Sequence, residues 1–94
     1  MPSYTYIMAN KKNGTLYVGV TADLKKRVYE HRAGLLEGFT KRYQIKMLVY
    51  YEMFNHISLS IKREKQIKNY KREWKIELIE AKNKDWRDLY EEII

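Results

Sequence analysis

The chain has 94 residues, 45% of them hydrophobic, and no cysteine, which predicts one domain over residues 1–94 and excludes disulfides, thiolate zinc sites and a cysteine nucleophile. No apolar run reaches the length of a membrane span and no leader segment is recognisable, so we expect a cytoplasmic protein without a membrane partner. The formal net charge of +7 is uneven, because residues 1–76 carry 16 basic and 6 acidic side chains whereas residues 77–94 carry 3 and 6; this predicts a nucleic-acid partner, with a merely solubilising surface as the equal alternative.

The first predicted elements are two strands that form a hairpin. Tyr4–Ala9 alternates in the manner of a strand, "NKKNG" at residues 10–14 has turn chemistry, and Thr15–Val20 is β-branched and aromatic. Two such runs around an Asn-Gly turn are typical of a β-hairpin.

The hairpin predicts that two phenols lie side by side. Whether the turn is Asn13-Gly14 or Asn10–Asn13, the loop has an even number of residues. Tyr6 and Tyr17 then lie on the same face of the antiparallel pair. Gly19 is expected to leave an opening beside them, because it has no side chain.

A helix is predicted from about Ala22 to Ala33, with Thr21 or Asp23 as its cap and Gly34 closing it. One stripe of this helix, at positions i, i+3, i+4 and i+7, has two members that can carry charge. The stripe consists of Leu24, Arg27, Val28 and His31.

Residues 35–46 show no clean period and are expected to form a loop that exposes Lys41 and Arg42. Met47–Phe54 is apolar almost throughout, as expected of a strand covered on both faces. Helical spacing then runs from a start between Asn55 and Ser58 to about Asn69.

Two further helices are predicted towards the end of the chain. One runs from about Lys71 to Ala81, with Trp74 expected in the core. The other is a short closing helix over Asp85–Ile94 with amphipathic spacing.

Glu64 is expected to project towards the core. Ile57, Ile61 and Ile67 define an apolar direction, and at 100° per residue Glu64 falls close to its middle. An unpaired buried charge would cost several kcal/mol. Glu64 therefore needs a partner, water or a metal ion.

These polar side chains suit phosphodiester hydrolysis if the faces that carry them meet. A glutamate can hold one Mg²⁺ that keeps most of its water shell. An arginine fork matches charge developing on phosphate oxygens, and a tyrosine hydroxyl can take a proton from water, with histidine as its proton partner or orienting group. The candidate set is Tyr6, Tyr17, Arg27, His31 and Glu64.

The ordered motifs resemble the GIY-YIG nuclease superfamily, over nearly the whole chain. "YTY" at Tyr4–Tyr6 keeps only the final tyrosine of the first motif, and "YVG" at Tyr17–Gly19 is a near-intact second motif. "GVTADLKKRVYEH" is similar to the family helix with its arginine and histidine, and "REKQIK" at Arg63–Lys68 to the helix with its metal-binding glutamate. With "KNKDWRDLY" near the end, the chain looks like the small stand-alone UPF0213-type members related to the UvrC catalytic domain.

The resemblance implies an α+β fold in which helices flank a three-stranded antiparallel sheet. It also implies one divalent ion, Mg²⁺ or Mn²⁺, bound by Glu64, and cleavage of nucleic-acid phosphodiester bonds. The family uses a further asparagine, for which Asn83 is the first choice and Asn69 the second. The cations expected to contact nucleic acid are Lys25, Lys26, Lys41, Arg42, Lys65 and Lys68.

The sequence therefore predicts a metal-dependent endonuclease, acting on DNA through backbone and shape, with sequence specificity left to an added domain or protein partner. A nucleic-acid-binding module that keeps the fold but does not cut is the alternative. The residues also have structural interpretations: cross-strand packing for the tyrosines, a buried ion pair for Arg27 and Glu64, and a satisfied core histidine for His31.

Overall fold

A computed structural model describes residues 1–94. Its centre is an antiparallel sheet of β1 (Ser3–Ala9), β2 (Leu16–Thr21) and β3 (Met47–Phe54), in the spatial order β2-β1-β3. The predicted α+β fold with a three-stranded antiparallel sheet is thereby confirmed. The helices are α1 (Leu24–Arg32), α2 (Phe39–Arg42), α3 (Ile57–Lys68), α4 (Arg72–Lys82) and α5 (Tyr90–Ile93).

The sheet is covered on both faces, and successive residues of β1 serve different layers. Tyr6 and Met8 pack with Leu24 and Val28 of α1 on one face. Ile7 and Ala9 pack with α3 and α4 on the other face, through Ile67 and Ile79. The helix that carries Arg27 and the helix that carries Glu64 therefore lie on opposite faces of the sheet.

The hairpin register places both tyrosines on the α1 face, as predicted. Tyr6 lies opposite Gly19, and Met8 lies opposite Tyr17. The turn differs from both expected forms, because Asn10 N donates to Thr15 O and leaves four residues, 11–14, in the loop. The loop still has an even number of residues, and the prediction that the two tyrosines share a face depended only on that.

The first helix begins and ends at identifiable signals. The Asp23 carboxylate accepts from Lys26 N at 3.1 Å, which caps α1 at its N-terminus. Gly34 follows the helix with a φ of 68°, a conformation that favours glycine. Of the two caps considered, Asp23 is the one used, and α1 starts two residues later than expected.

The apolar direction predicted for α3 is wrong, although Glu64 does lie on its inner side. Ile57 and Ile61 are 47% and 40% exposed. The buried positions of α3 are Ser60 and Ile67. Small hydroxyl groups explain the difference, because Ser60 hydrogen-bonds to Ser3 Oγ and its carbonyl accepts from Thr5 Oγ1 at 2.8 Å.

Other expectations also need correction. Residues 35–46 contain the one-turn helix α2, and the closing helix is restricted to α5. Strand β3 is not covered on both faces throughout, since Met53 is 62% exposed. Trp74 is not a core residue: it is 47% exposed and packs edge-on against Tyr70, whereas Trp86 is buried.

The longest helix, α3, has 12 residues. None of the helices combines the length and hydropathy needed to cross a lipid bilayer.

Candidate active site

The candidate site begins with Tyr6, which is fully buried in the central strand. A Cβ atom at Gly19 would lie only 2.6 Å from Cζ and from Oη of Tyr6. The phenol of Tyr6 therefore crosses over Gly19 towards the outer edge of β2. The opening expected beside Gly19 is filled by this ring.

His31 and Tyr17 complete the buried part of the site. Nε2 of His31 lies 3.1 Å from Oη of Tyr6. The Tyr17 ring centroid is 6.3 Å from that of Tyr6 and 5.5 Å from that of His31. Tyr17 is only half-buried, so it is the tyrosine of this group that reaches the surface.

Thr40, on α2, is a member of this cluster that sequence reasoning missed. Its Oγ1 lies 3.2 Å from Nδ1 of His31, and this is the hydroxyl's one hydrogen bond in the structure. If Nδ1 carried the proton, the buried hydroxyl hydrogen of Thr40 would have no acceptor, which is costly. With the proton on Nε2 instead, the buried hydroxyl hydrogen of Tyr6 would be the one without an acceptor, so the two hydroxyls fix the orientation of the imidazole ring rather than its tautomer.

The sequence carries no local signal for Thr40. It lies two residues after Gly38, whose φ of 101° precedes α2, and it is the buried residue of that four-residue helix. A single threonine in a polar loop carries no periodicity, so only the tertiary contact with His31 identifies it.

Arg27 and Glu64 approach the cluster from the two sides of the sheet. Arg27 lies one helical turn before His31 on α1 and pairs with Glu30 at 3.4 Å. The Glu64 carboxylate pairs with Lys68 at 3.3 Å. Arg27 and Glu64 do not pair with each other, so the alternative of a buried ion pair between them is wrong.

The electrostatics link these groups to Tyr6. Burial raises the pKa of Tyr6 well above its usual value; Tyr17 and the Glu64 carboxylate act in the same direction, whereas the Arg27 guanidinium lowers it. Burial and then the Arg27 charge lower the pKa of His31 below its ordinary value of 6.5. Both side chains are therefore neutral at pH 7.

The donor set around Glu64 limits which metal could bind. No three His, Cys, Asp or Glu side chains lie together anywhere in the chain, so the cage of several protein ligands that zinc or calcium uses is absent. Mg²⁺ is commonly bound by one or two carboxylates while it keeps several waters. Glu64, whose side chain is 20% exposed, fits that mode of binding.

The structure does not bring Asn83, the first choice for the additional asparagine, to this cluster. Asn83 is 3% exposed at the end of α4. Its amide nitrogen donates to Val49 O and Arg87 O at 3.1 and 2.8 Å, and its oxygen accepts from Arg87 N at 2.9 Å. These bonds tie it to β3, which β1 separates from β2. Asn69 follows α3, the helix that carries Glu64, and is exposed.

The six cations predicted to contact nucleic acid are all exposed. Lys25 and Lys26 are on α1, Lys41 and Arg42 on α2, and Lys65 and Lys68 on α3. They therefore lie on the three helices that contribute Arg27, Thr40 and Glu64.

A three-stranded antiparallel sheet flanked by helices is the fold that the resemblance implied for a GIY-YIG-type domain. Residues 2–77 match the family model described as the GIY-YIG catalytic domain, and the chain belongs to this family.

Among relatives, the chain is similar to UPF0213 proteins. It is 41% identical over 76 residues to one from Staphylococcus saprophyticus, covering 81% of this chain and 92% of that protein. It is 38% identical over 79 residues to one from Staphylococcus haemolyticus, covering 84% and 95%. The solution NMR structure of a UPF0213 protein from Bacillus halodurans superposes with a TM-score of 0.58 at 26% identity, covering 94% of this chain and 93% of that one. The resemblance to small stand-alone members of the family is confirmed.

Proposed function

We propose that this chain is a metal-dependent endonuclease that hydrolyses DNA phosphodiester bonds and recognises backbone and shape. The observation that supports this most is the meeting of Arg27 and Glu64, unpaired with each other, around hydrogen-bonded Tyr6 and His31 at the β2 edge. Membership of a nuclease family supports the reaction class.

The burial pattern suggests different roles for the two tyrosines. Hydrolysis joins a water oxygen to phosphorus and breaks the bond to the leaving sugar oxygen, so a nearby group must accept the water's proton. Tyr17 is the half-buried hydroxyl within reach of solvent, and we assign it this role. Tyr6 is fully buried between Gly19 and His31 and orients the cluster.

Arg27 and Glu64 supply charge of opposite sign. The Arg27 side chain is 39% exposed, so its guanidinium can donate two parallel hydrogen bonds to phosphate oxygens. Glu64 would hold the divalent ion, Mg²⁺ or Mn²⁺. When bound, that ion would polarise the phosphate oxygens and stabilise their developing charge.

The substrate contacts would be made mainly to phosphates. The exposed cations lie on α1, α2 and α3, the helices that carry Arg27, Thr40 and Glu64. Asn69 would be the asparagine on the Glu64 side, since it follows α3. Sequence specificity would come from a further domain or a protein partner.

A plasmid-nicking assay with Mg²⁺ or Mn²⁺ tests the proposal. We expect nicking by the parent chain and loss of nicking in Glu64→Gln, because the amide removes the charge that binds the ion. Glu52→Gln is the matched control, since Glu52 is a glutamate on the opposite sheet edge that pairs with Arg63. Equal rates for the parent and Glu64→Gln would contradict the proposal.

The second candidate function is a nucleic-acid-binding module that does not cut. It is favoured by the contact of Lys68 with the Glu64 carboxylate, because an ammonium group can replace a metal ion as its partner. Nucleic-acid binding without nicking, in the parent and in Lys68→Ala alike, would support this function.

A further inference from the structure

A groove outside the candidate active site lies between the hairpin loop and the start of α4. Its volume is about 590 Å³ and its walls are almost wholly polar. Asn10, Lys11, Asn13 and Thr15 contribute from the hairpin. Arg72 and Lys75 contribute from the first turn of α4.

The charge of this groove is positive and uncompensated. Its walls include three cations, Lys11, Arg72 and Lys75, and no acidic residue. None of the three forms an ion pair, whereas Lys41 and Lys68 each pair with a glutamate one helical turn away. Cations gathered in a concave surface without acidic partners attract an anion from solution.

The groove is held in shape by the protein itself. Nη2 of Arg72 donates to the carbonyl oxygens of Asn13 and Gly14, both at 2.6 Å. This contact fixes the hairpin loop against α4 and leaves Lys11 and Lys75 to interact with a ligand. The groove therefore combines a fixed wall with two ammonium groups that have no ion-pair partner.

The groove and the candidate active site lie at neighbouring positions of β2. Leu16 lines the groove, and Tyr17, the next residue of β2, belongs to the catalytic cluster on the opposite face. Gly19, against which the Tyr6 ring packs, is four positions along the chain from Thr15, which is about 13 Å at ~3.3 Å per residue. A 20-base-pair duplex, about 68 Å long at ~3.4 Å per base pair, is long enough to contact both the groove and the cluster.

We propose that this groove binds backbone phosphates of the nucleic acid away from the bond that is cut. The identification of the ligand as nucleic acid rests on the proposed function, but binding in the groove does not require cleavage. Lys11 and Lys75 make the phosphate contacts, and Arg72 positions the loop. The groove thus extends the nucleic-acid surface beyond the cations of α1, α2 and α3.

Fluorescence anisotropy with a labelled 20-base-pair DNA duplex, in EDTA so that no cleavage occurs, tests this proposal. Lys75→Ala should reduce the slope of log affinity against log salt by about one, because one phosphate contact is lost. Lys84→Ala is the matched control: it removes the same charge from an exposed lysine just beyond the other end of α4. Lys11→Ala, on the exposed loop, should repeat the effect of Lys75→Ala.

Two results would contradict this proposal. Equal salt slopes for Lys75→Ala and Lys84→Ala would overturn the proposal. Saturation of the groove by millimolar inorganic phosphate, with duplex affinity unaffected, would also overturn it by assigning the groove to free phosphate. A parent chain that binds through the groove and never nicks DNA would refute the nuclease function alone.

Discussion

The two edges of the sheet carry clusters of the same residue types with opposite patterns of pairing. At the β3 edge, Arg63 donates to both carboxylate oxygens of Glu52 at 3.0 to 3.1 Å, and Tyr50 donates to the same carboxylate. Tyr70 accepts from Arg63 at 3.3 Å. At the β2 edge, the arginine and glutamate of the candidate site each pair with a helical neighbour instead of each other.

This difference separates a structural cluster from a candidate functional one. The charges of Arg63 and Glu52 satisfy each other, so little capacity remains for a ligand. Arg27 and Glu64 pair only with helical neighbours at i,i+3 and i,i+4. On an exposed surface such a pair adds a few tenths of a kcal/mol to the free energy of unfolding. A ligand can replace such partners at small cost.

The largest expected contrast comes from the two arginines. Arg27→Ala should lower the nicking rate by about 10²–10³-fold, because it removes a donor to charge that develops on the phosphate. Its thermal unfolding midpoint should stay near that of the parent, since Arg27 is 39% exposed and its ion pair is peripheral. Nicking kinetics and thermal denaturation measure the two quantities.

Arg63→Ala should show the reverse behaviour. It leaves the Glu52 carboxylate, 18% exposed, without its bidentate partner, and we expect a loss of about 2–3 kcal/mol in the free energy of unfolding. For a chain of this size that lowers the midpoint by roughly 10 °C or more. A large fall in nicking per folded molecule would show that the two edges are not independent.

Thr40→Val should produce a smaller effect on catalysis. Removing the hydroxyl leaves Nδ1 of His31 without its hydrogen-bond partner, so the imidazole ring is less firmly oriented, and we expect nicking to slow by about tenfold. Nitrogen-15 NMR of the imidazole reports the hydrogen bond at Nδ1, and Thr40→Ser should restore both signal and rate. An unchanged imidazole spectrum in Thr40→Val would contradict the role assigned to Thr40.

The smallest expected difference is in how the two edges change the stability of the fold as the pH is lowered. The lowered pKa of His31 means that the unfolded chain takes up this proton first, so stability should fall as the pH drops below about 6.5. Burial alone would raise the pKa of Glu52, but hydrogen bonds from Arg63 and Tyr50 outweigh it and hold the pKa below its ordinary value of 4.5. Its contribution should be lost only at lower pH.

Urea denaturation across pH 3 to 8 can separate these two steps. His31→Gln should remove the first fall in stability and keep the second, and Glu52→Gln should do the opposite. A single fall shared by both variants would mean that the titrations belong to other groups.

Much of the architecture follows from the sequence because it depends on two local features, the even number of residues in the hairpin loop and the residues that begin and end the first helix. The even loop between the first two strands places Tyr6 and Tyr17 together, and Asp23 and Gly34 bound the first helix. The same periodicity placed Arg27 and His31 on the inner side of α1, where they are found.

The wrong apolar direction in α3 has its physical origin in polar groups that are satisfied by distant partners. Counting apolar residues selected Ile57 and Ile61 for the core of α3, whereas Ser60 is buried because Ser3 and Thr5 complete its hydrogen bonds. Ser3 and Thr5 lie 57 and 55 positions before Ser60 along the chain, so they leave no local pattern.

The adjacency of Arg63 and Glu64 has a consequence for how this helix can vary. Arg63 and Glu64 are consecutive residues, 100° apart around α3, and they point to the β3 edge and the β2 edge of the sheet respectively. Ser60 and Ile67 are the buried residues that hold the helix against the sheet. Inserting or deleting one residue between Ser60 and Ile67 would rotate both charged groups away from their destinations at once. Length changes are therefore tolerable after Asn69, whereas the six residues between Ser60 and Ile67 admit substitution but no insertion or deletion.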